Sequence, residues 1–184
     1  MPSVNTIAAF CGSKEGKNPL FVRDAALLGQ LIGTYGFHLI YGGSQFGIMG
    51  AVANAALAHG STVTGVLPEV LISWEQQHDG ISELIITKDM HERKKLLFEK
   101  AAVGIILPGG VGTLDELFEM VTWNQLSIHN KKIYILNTDG FYDNLIAHLR
   151  RMEQDGFLYE HVSNMIAVFD EPNALMEDIK SYLG

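Results

Sequence analysis

Cysteine is nearly absent from this sequence of 184 residues, in which Cys11 is the only one. A single cysteine excludes an intrachain disulfide and a multi-cysteine metal site, and we interpret it as a small buried residue at the end of a strand. No second histidine or carboxylate stands at a metal-ligand spacing such as His-x-x-x-His from His91, so we predict no metal.

Basic residues are also few, with 13 Lys and Arg against 21 Asp and Glu and a formal net charge of −8. This charge argues against a nucleic acid polymer as partner, because such a partner requires a basic surface.

Long apolar runs are lacking as well. No uninterrupted apolar stretch approaches the roughly 20 residues that span a bilayer, and the sequence does not open with a basic segment followed by an apolar one. We therefore expect no membrane partner and a cytoplasmic location. With 47% hydrophobic and 18% charged residues, the composition is that of a globular protein, and we expect residues 1–184 to form a single domain.

Short apolar segments alternate with helical patterns along the chain. We predict strands over residues 4–10, 37–41, 62–67, 83–87, 103–107, 132–136 and 165–169. We predict helices over residues 19–35, 90–101, 112–127, 141–154 and 174–182, and an alanine-rich helix that ends at residue 59. This alternation implies right-handed crossovers between parallel strands. The predicted fold class is therefore α/β, a Rossmann-like, doubly wound, mostly parallel sheet with helices on both faces.

A glycine-rich turn follows the fifth predicted strand, with the sequence Pro-Gly-Gly-Val-Gly-Thr-Leu-Asp-Glu over residues 108–116. Its glycines leave space for a ligand against the main chain, and the free N–H groups at a helix start attract an anion such as phosphate. Thr113 can add a hydroxyl or cap the helix, and Glu116 places a carboxylate beside the anion. A tight connection without any ligand fits the same pattern. The turn is neither a P-loop nor a Gly-x-Gly-x-x-Gly dinucleotide motif.

Two further loops at predicted strand ends also contain glycine. Gly12 and Ser13 follow the first strand, and Gly42 and Gly43 follow the second. Ligands of doubly wound sheets bind beyond the carboxyl ends of the strands, near the point where the winding reverses. We therefore expect the three glycine loops to converge on one crevice.

A basic pair, Arg93 and Lys94, lies in the first turns of the helix after the fourth strand, where Asp89 fits the cap position. Positive charge at a helix start opposes the dipole, and this placement suggests that the pair meets an external anion. Arginine can bind a phosphate or carboxylate through two hydrogen bonds, and lysine adds a second charge. A solvated helix face with Glu92 and Glu99 as neighbours explains the same pattern.

Together these motifs resemble the LOG ("Lonely Guy") family, the cytokinin riboside 5′-monophosphate phosphoribohydrolases, many of which carry the older label "possible lysine decarboxylase". The resemblance extends nearly from end to end, over residues 10–13, 41–43, 47–50, 90–94, 108–116, 122–126 and 137–142. It implies hydrolysis of the N-glycosidic bond of a purine (N6-modified adenine) nucleoside 5′-monophosphate to the free base and ribose 5-phosphate. It also implies a homodimer and no cofactor.

By matched position, the resemblance implies that Arg93 and Glu116 are the catalytic pair. The substrate contacts that it implies are Glu75, Lys94, Gly109, Gly110, Val111, Gly112, Thr113 and Thr122, and the glycine loops add Ser13, Gly42 and Gly43 as candidates. Cleavage of a ribosyl bond builds positive charge on the sugar, which a carboxylate such as that of Glu116 stabilises. The sequence departs from the family pattern at Lys14, Ser44 and Ser127. These departures leave open whether adenine or N6-prenylated adenine is the preferred base.

Three other functions compete with this hypothesis. A general AMP or purine nucleotide nucleosidase would use the same residues. A non-catalytic carrier of a nucleotide or of the molybdenum cofactor would share the fold, but a pure anion binder gains nothing from a carboxylate near the phosphate. Lysine decarboxylation is disfavoured, because no residue group clearly supplies both a Schiff-base lysine and a partner for the pyridinium nitrogen of pyridoxal phosphate.

Overall fold

The computed structural model describes residues 5–72 and 77–184. Its strands are β1 Thr6–Phe10, β2 His38–Tyr41, β3 Val63–Pro68, β4 Glu83–Thr87, β5 Val103–Ile106, β6 Ile133–Leu136 and β7 Ala167–Phe169. Its helices are α1 Pro19–Thr34, α2 Gly47–Ala58, α3 Met90–Lys100, α4 Val111–Gln125, α5 Asp143–Gln154, α6 Val162–Met165 and α7 Pro172–Leu183. Two short 3-10 helices lie at Glu69–Leu71 and Thr138–Gly140.

The seven strands form one sheet in the order β4-β3-β2-β1-β5-β6-β7. Every neighbouring pair is parallel. The chain therefore winds outward from β1 to β4, returns to the centre at β5, and winds in the other direction to β7. The reversal lies between the carboxyl ends of β1 and β5, which is where sheets of this class bind ligands. The predicted α/β, doubly wound class is confirmed.

Both faces of the sheet are covered by helices. In β1, Ile7 and Ala9 belong to a core cluster with residues of α1, α2 and α7, whereas Ala8 and Phe10 belong to a second cluster with residues of α3, α4 and α5. Because successive side chains of a strand point to opposite faces, a strand that is buried on both sides reads as a continuous apolar run. This explains why the strands were recognisable as runs without polar alternation.

Two predicted helix caps are present. The N–H of Leu20 donates to the side chain of Asn18 at 3.0 Å, at the start of α1. The N–H of Glu92 donates to Asp89 Oδ1 at 2.8 Å, at the start of α3. The cap position of α4 is occupied by Gly110, so the suggestion that Thr113 caps this helix is wrong.

Several predicted boundaries differ from the structure by two residues, among them the start of the last strand, which was predicted over residues 165–169 and begins at Ala167. Met165 ends the short helix α6, because the N–H of Ile166 donates to the carbonyl of Val162 at 3.0 Å and closes a helical turn. A short apolar run cannot distinguish a strand from one buried helical turn, and this ambiguity caused the error. Within residues 5–72 and 77–184, no helix combines the length and apolarity that crossing a membrane requires.

Helices α1 and α2 approach each other through glycine. A Cβ atom on Gly29 would lie 2.2 Å from the carbonyl oxygen of Val52, and one on Gly33 would lie 2.7 Å from that of Ala56. Neither carbonyl can move without moving α2. The position of α2, which follows the second glycine loop, is therefore set by the absence of two side chains on α1.

We expect Gly29→Ala to destabilise the protein by about 1–3 kcal/mol despite the better helix propensity of alanine, because the added methyl group overpacks a backbone contact. Urea unfolding measures this change. Gln30→Ala, at an exposed position of the same helix, is the matched control and should stay within about 0.5 kcal/mol of the wild type. Equal stability of Gly29→Ala and the wild type would contradict the close packing of α1 on α2.

Candidate functional site

A cavity of about 240 Å³ lies at the winding reversal, beyond the carboxyl ends of β1 and β5. Its walls come from the loop after β1, the glycine turn before α4, and side chains of α2, α3 and α4. The lining residues are Cys11, Gly12, Ser13, Met49, Leu71, Met90, Arg93, Gly110, Gly112, Thr113 and Glu116. The loops after β1 and β5 are joined directly, since the N–H of Gly12 donates to the carbonyl of Pro108 at 3.1 Å.

The first turn of α4 forms one wall of this cavity. The first hydrogen bond of this helix runs from the N–H of Leu114 to the carbonyl of Gly110 at 3.2 Å, so the N–H groups of residues 111–113 precede it. A Cβ atom on Gly110 or Gly112 would have nothing within 4 Å, whereas one on Gly109 would lie 2.2 Å from Thr113 Oγ1. Open space beside helix-start N–H groups suits an anion.

Arg93 and Glu116 lie next to each other in the wall of the cavity. Arg93 Nη2 lies 4.0 Å from Glu116 Oε1, and their side chains are only 5% and 7% exposed. Arg93 also donates from Nε to the carbonyl of Val66 at 3.1 Å and from Nη2 to the carbonyl of Gly42 at 3.4 Å. A buried charge is costly unless it is paired and hydrogen-bonded. The site therefore contains a buried cation and a buried carboxylate, fixed by these contacts, and they belong to the two predicted catalytic residues.

Gly42 provides the space for the Arg93 guanidinium. A Cβ atom on Gly42 would lie 2.4 Å from Arg93 Nη2 and 3.0 Å from Met49 Sδ. Gly43 has a φ of +86°, in the left-handed region that favours glycine, and its carbonyl accepts a hydrogen bond from the N–H of His78 at 3.0 Å. Close packing explains Gly42 and backbone conformation explains Gly43, and the substrate contacts predicted for both stay predictions.

Lys94 lies beside the site and not in its wall. Its Nζ donates to Asp115 Oδ2 at 3.0 Å and also pairs with Glu119. Burial alone would lower the pKa of Lys94. The hydrogen bonds and negative charges of Glu119 and Asp115 together outweigh this effect, so the pKa of Lys94 is raised. The sequence interpretation missed these partners, although the spacing of Asp115 and Glu119 places two carboxylates one turn apart on α4.

Cys11 forms part of the cavity floor and is buried, as predicted. Burial, and to a smaller extent the negative charge of Glu116, raises the pKa of the Cys11 thiol, while Arg93 opposes this shift. The thiol is therefore neutral at physiological pH. A neutral thiol is a poor nucleophile, so its burial disfavours a covalent role for Cys11.

A second cavity of about 400 Å³ adjoins the first. The two cavities share Gly12, Ser13 and Gly110. The second has apolar walls that include Phe21 and Phe141, whose rings meet edge to face with centroids 5.3 Å apart. Sequence reasoning missed both aromatic residues, because they follow different strands and only the folded sheet brings them together. The glycine loops thus separate a charged cavity from an aromatic one.

Two other predicted site residues, Thr122 and Val111, lie outside both cavities. Thr122 is exposed on α4 and does not line either cavity, and Val111 at the start of α4 is 85% exposed. Glu75 falls outside the residues that the structure describes. In the described part of the chain, no cluster of three or more His, Cys, Asp or Glu side chains could hold a metal ion.

Comparison with known proteins gives consistent matches over the chain. A family described as possible lysine decarboxylase matches residues 49–179. The cytokinin riboside 5′-monophosphate phosphoribohydrolase of Rhodococcoides fascians is 36% identical over 98% of this chain and 91% of its own. A protein of Arabidopsis thaliana with the same name is 36% identical over 96% of this chain and 81% of its own. The structure of the molybdenum cofactor binding protein from Rippkaea orientalis superposes with a TM-score of 0.74 at 25% identity, over 97% of each chain.

We expect Gly42→Ala to displace the Arg93 guanidinium while leaving the fold intact, because the added methyl group meets the flexible end of a side chain and not the backbone. A crystal structure of the variant measures the displacement, and its melting temperature reports the fold. A guanidinium that stays within about 0.5 Å of its wild-type position, which is the tolerance of a well-held site, would show that Gly42 does not make this space.

Proposed function

Because the chain belongs to the LOG family, we propose that it hydrolyses the N-glycosidic bond of purine nucleoside 5′-monophosphates and releases the free base and ribose 5-phosphate. The observation that carries this proposal is the buried pair of Arg93 and Glu116, held 4.0 Å apart in the wall of a cavity at the start of α4. The two named relatives support it, since both are phosphoribohydrolases of cytokinin riboside 5′-monophosphates.

The proposed mechanism begins with the phosphate. The phosphate binds the N–H groups at the start of α4, and Thr113 adds a hydroxyl. Glu116 lies in the second turn of the same helix, so its carboxylate stands beside the sugar when the phosphate is bound at the helix end. Phosphate binding thus orients the reacting carbon, and a nucleoside without phosphate should lose turnover as well as affinity.

Bond cleavage follows at C1′ of the ribose. The bond between C1′ and the base nitrogen breaks, its electron pair leaves with the base, and positive charge develops on the sugar. The carboxylate of Glu116 stabilises this charge and orients or deprotonates the water that adds to C1′. Arg93 fixes the nucleotide and offsets negative charge as the base leaves, and the base takes up a proton.

We expect Glu116→Gln to lower kcat for base release by about 10²–10⁴-fold, because the neutral amide keeps the shape of the side chain and removes both the charge and the basic oxygen. Release of free base from AMP, from N6-isopentenyladenosine 5′-monophosphate and from adenosine measures the change. Glu99→Gln, at a carboxylate of α3 that is 59% exposed and pairs with Lys95, is the matched control and should retain the wild-type activity. Full activity of Glu116→Gln would contradict the mechanism.

The preferred base is part of the same proposal. We propose that N6-modified adenine is preferred to adenine, which would make the protein a cytokinin-activating enzyme, in agreement with the names of the two relatives. The ratio of kcat/KM for the two nucleotides decides this point. A ratio near one would indicate a general purine nucleotide nucleosidase. Equal turnover of AMP and adenosine would remove the role given to the phosphate.

A carrier function is the second candidate, because the chain resembles a molybdenum cofactor binding protein in fold. A carrier would bind its phosphorylated ligand without breaking a bond. The buried carboxylate of Glu116 argues against a carrier. A carboxylate beside a bound anion weakens binding of that anion, and a protein that only binds its ligand gains nothing from it. Nucleotide binding without release of base by the wild type would favour the carrier.

We further propose that the protein is a homodimer. Large apolar side chains are exposed on α4 and the turn after it, among them Val111, Phe118, Leu126 and Ile128. Exposed apolar residues that follow one another along a surface are typical of an interface. A second copy of the chain is the partner that we propose for these side chains.

We expect Leu126→Asp combined with Ile128→Asp to convert dimer to monomer, because each substitution would bury a charge without a partner in the interface. Light scattering at several protein concentrations measures the mass. Tyr159→Asp, at a position that is 94% exposed elsewhere on the surface, is the control and should leave the dimer unchanged. A wild type that has the mass of one chain at all concentrations would contradict the proposal.

A further inference from the structure

We propose that Lys94 is a positioning residue, which holds α3 against α4 through Asp115 and Glu119 and so keeps Arg93 opposite Glu116. This inference rests on the proposed function only for its effect on turnover. Its geometric content, the separation of Arg93 and Glu116, concerns the protein alone. It differs from the substrate contact that the family resemblance implies for Lys94.

The contacts of Lys94 are made within the protein. Its side chain is 10% exposed, and its Nζ lies between two carboxylates of α4, with Asp115 Oδ2 at 3.0 Å and Glu119 beside it. Lys94 does not belong to the lining of the cavity that Arg93 and Glu116 share. An ammonium group that is already enclosed by two carboxylates has less to offer to a phosphate than a free one.

The register of the two helices places Lys94 where it can act on the pair. Arg93 is its neighbour on α3, and Glu116 lies between Asp115 and Glu119 on α4. One turn further along α3, Phe98 meets Trp123 of α4 edge to face, with ring centroids 5.2 Å apart. Aromatic packing therefore joins the helices at that level, and the ion pairs of Lys94 join them at the level of the site.

Charge balance leads to the same conclusion. The first half of α4 has three carboxylates close together, at Asp115, Glu116 and Glu119, and α3 opposes them with Arg93 and Lys94. Without Lys94, two of these carboxylates would lack their cation and would compete with Glu116 for the guanidinium of Arg93. Like charges at neighbouring positions also repel each other along a helix. Removal of Lys94 should therefore shift Arg93 away from its place opposite Glu116.

The test compares Lys94→Met, which keeps the aliphatic stem, with Lys94→Arg, which keeps the charge. Crystal structures of both variants give the separation of Arg93 Nη2 and Glu116 Oε1. We expect an increase of about 1 Å or more in Lys94→Met, a displacement that can cost about 100-fold in rate, and a separation near the wild-type value in Lys94→Arg. An unchanged separation in Lys94→Met would overturn the inference, whatever the activity of the protein.

Ligand binding separates positioning from phosphate contact. A charged hydrogen bond to phosphate contributes about 1.5–3 kcal/mol, so its loss would weaken binding of ribose 5-phosphate by about 10- to 150-fold. In Lys94→Met we expect calorimetry to show that binding of ribose 5-phosphate is weakened less than about threefold. We expect kcat for AMP to fall about 10- to 100-fold at nearly constant KM. Binding of ribose 5-phosphate weakened by tenfold or more would overturn the inference and show that Lys94 contacts the phosphate.

One control variant and one further test complete the design. Lys95→Met removes an exposed pair with Glu99 on the same helix, in which Nζ lies 3.7 Å from Oε1, and should leave the site unchanged. In a double-mutant cycle, Glu119→Gln should lower kcat less when Lys94 is already Met, because the two side chains act together. Strict additivity would overturn the inference. Absence of base release by the wild type would defeat the proposed function, and the separation measured in Lys94→Met would still decide the role of Lys94.

Discussion

The buried guanidinium of Arg93 is the constraint on which the site depends. A cation with 5% of its side chain exposed must find acceptors in the protein, because water cannot supply them. It finds them in the carbonyls of Val66 and Gly42 and in the carboxylate of Glu116. These acceptors come from β3, from the loop after β2 and from α4. One side chain thus ties together elements that the chain order separates, and it explains why the second glycine loop has no side chain at its first position.

The topology of the sheet places the start of α4 at the same crevice. Because the winding reverses between β1 and β5, their carboxyl ends open onto a common crevice, and the N–H of Gly12 joins the two loops. Helix α4 starts at this crevice and offers free N–H groups to an anion at its end and the carboxylate of Glu116 one turn further on. The proposed anion site and the carboxylate therefore belong to one rigid element, and in the proposed function a substrate with phosphate and ribose would be held by a single helix.

Much of this organisation could be predicted from the sequence, because it depends on local patterns. The strands are apolar runs, Asn18 and Asp89 are recognisable caps, and the Pro-Gly-Gly-x-Gly-Thr-x-x-Glu segment marks a strand-to-helix turn. Three features could not be predicted. Two of them arise only when distant segments meet, since the partners of Lys94 lie on another helix and the ring of Phe141, after β6, meets that of Phe21 on α1. The third is local, because the helical turn that ends at Met165 reads like part of a strand. A basic pair at a helix start suggested an external anion, and for Lys94 the anions are internal carboxylates.

A crystal structure of the Glu116→Gln variant with AMP would show directly how the proposed site holds a nucleotide. We expect the phosphate against the N–H groups of residues 111–113, with C1′ of the ribose beside the side chain at position 116, in contact or through one water molecule, and the guanidinium of Arg93 in its wild-type place. A nucleotide bound with its phosphate away from the start of α4, or with its ribose remote from position 116, would contradict the central claim that one helix binds the phosphate and presents the reacting carboxylate.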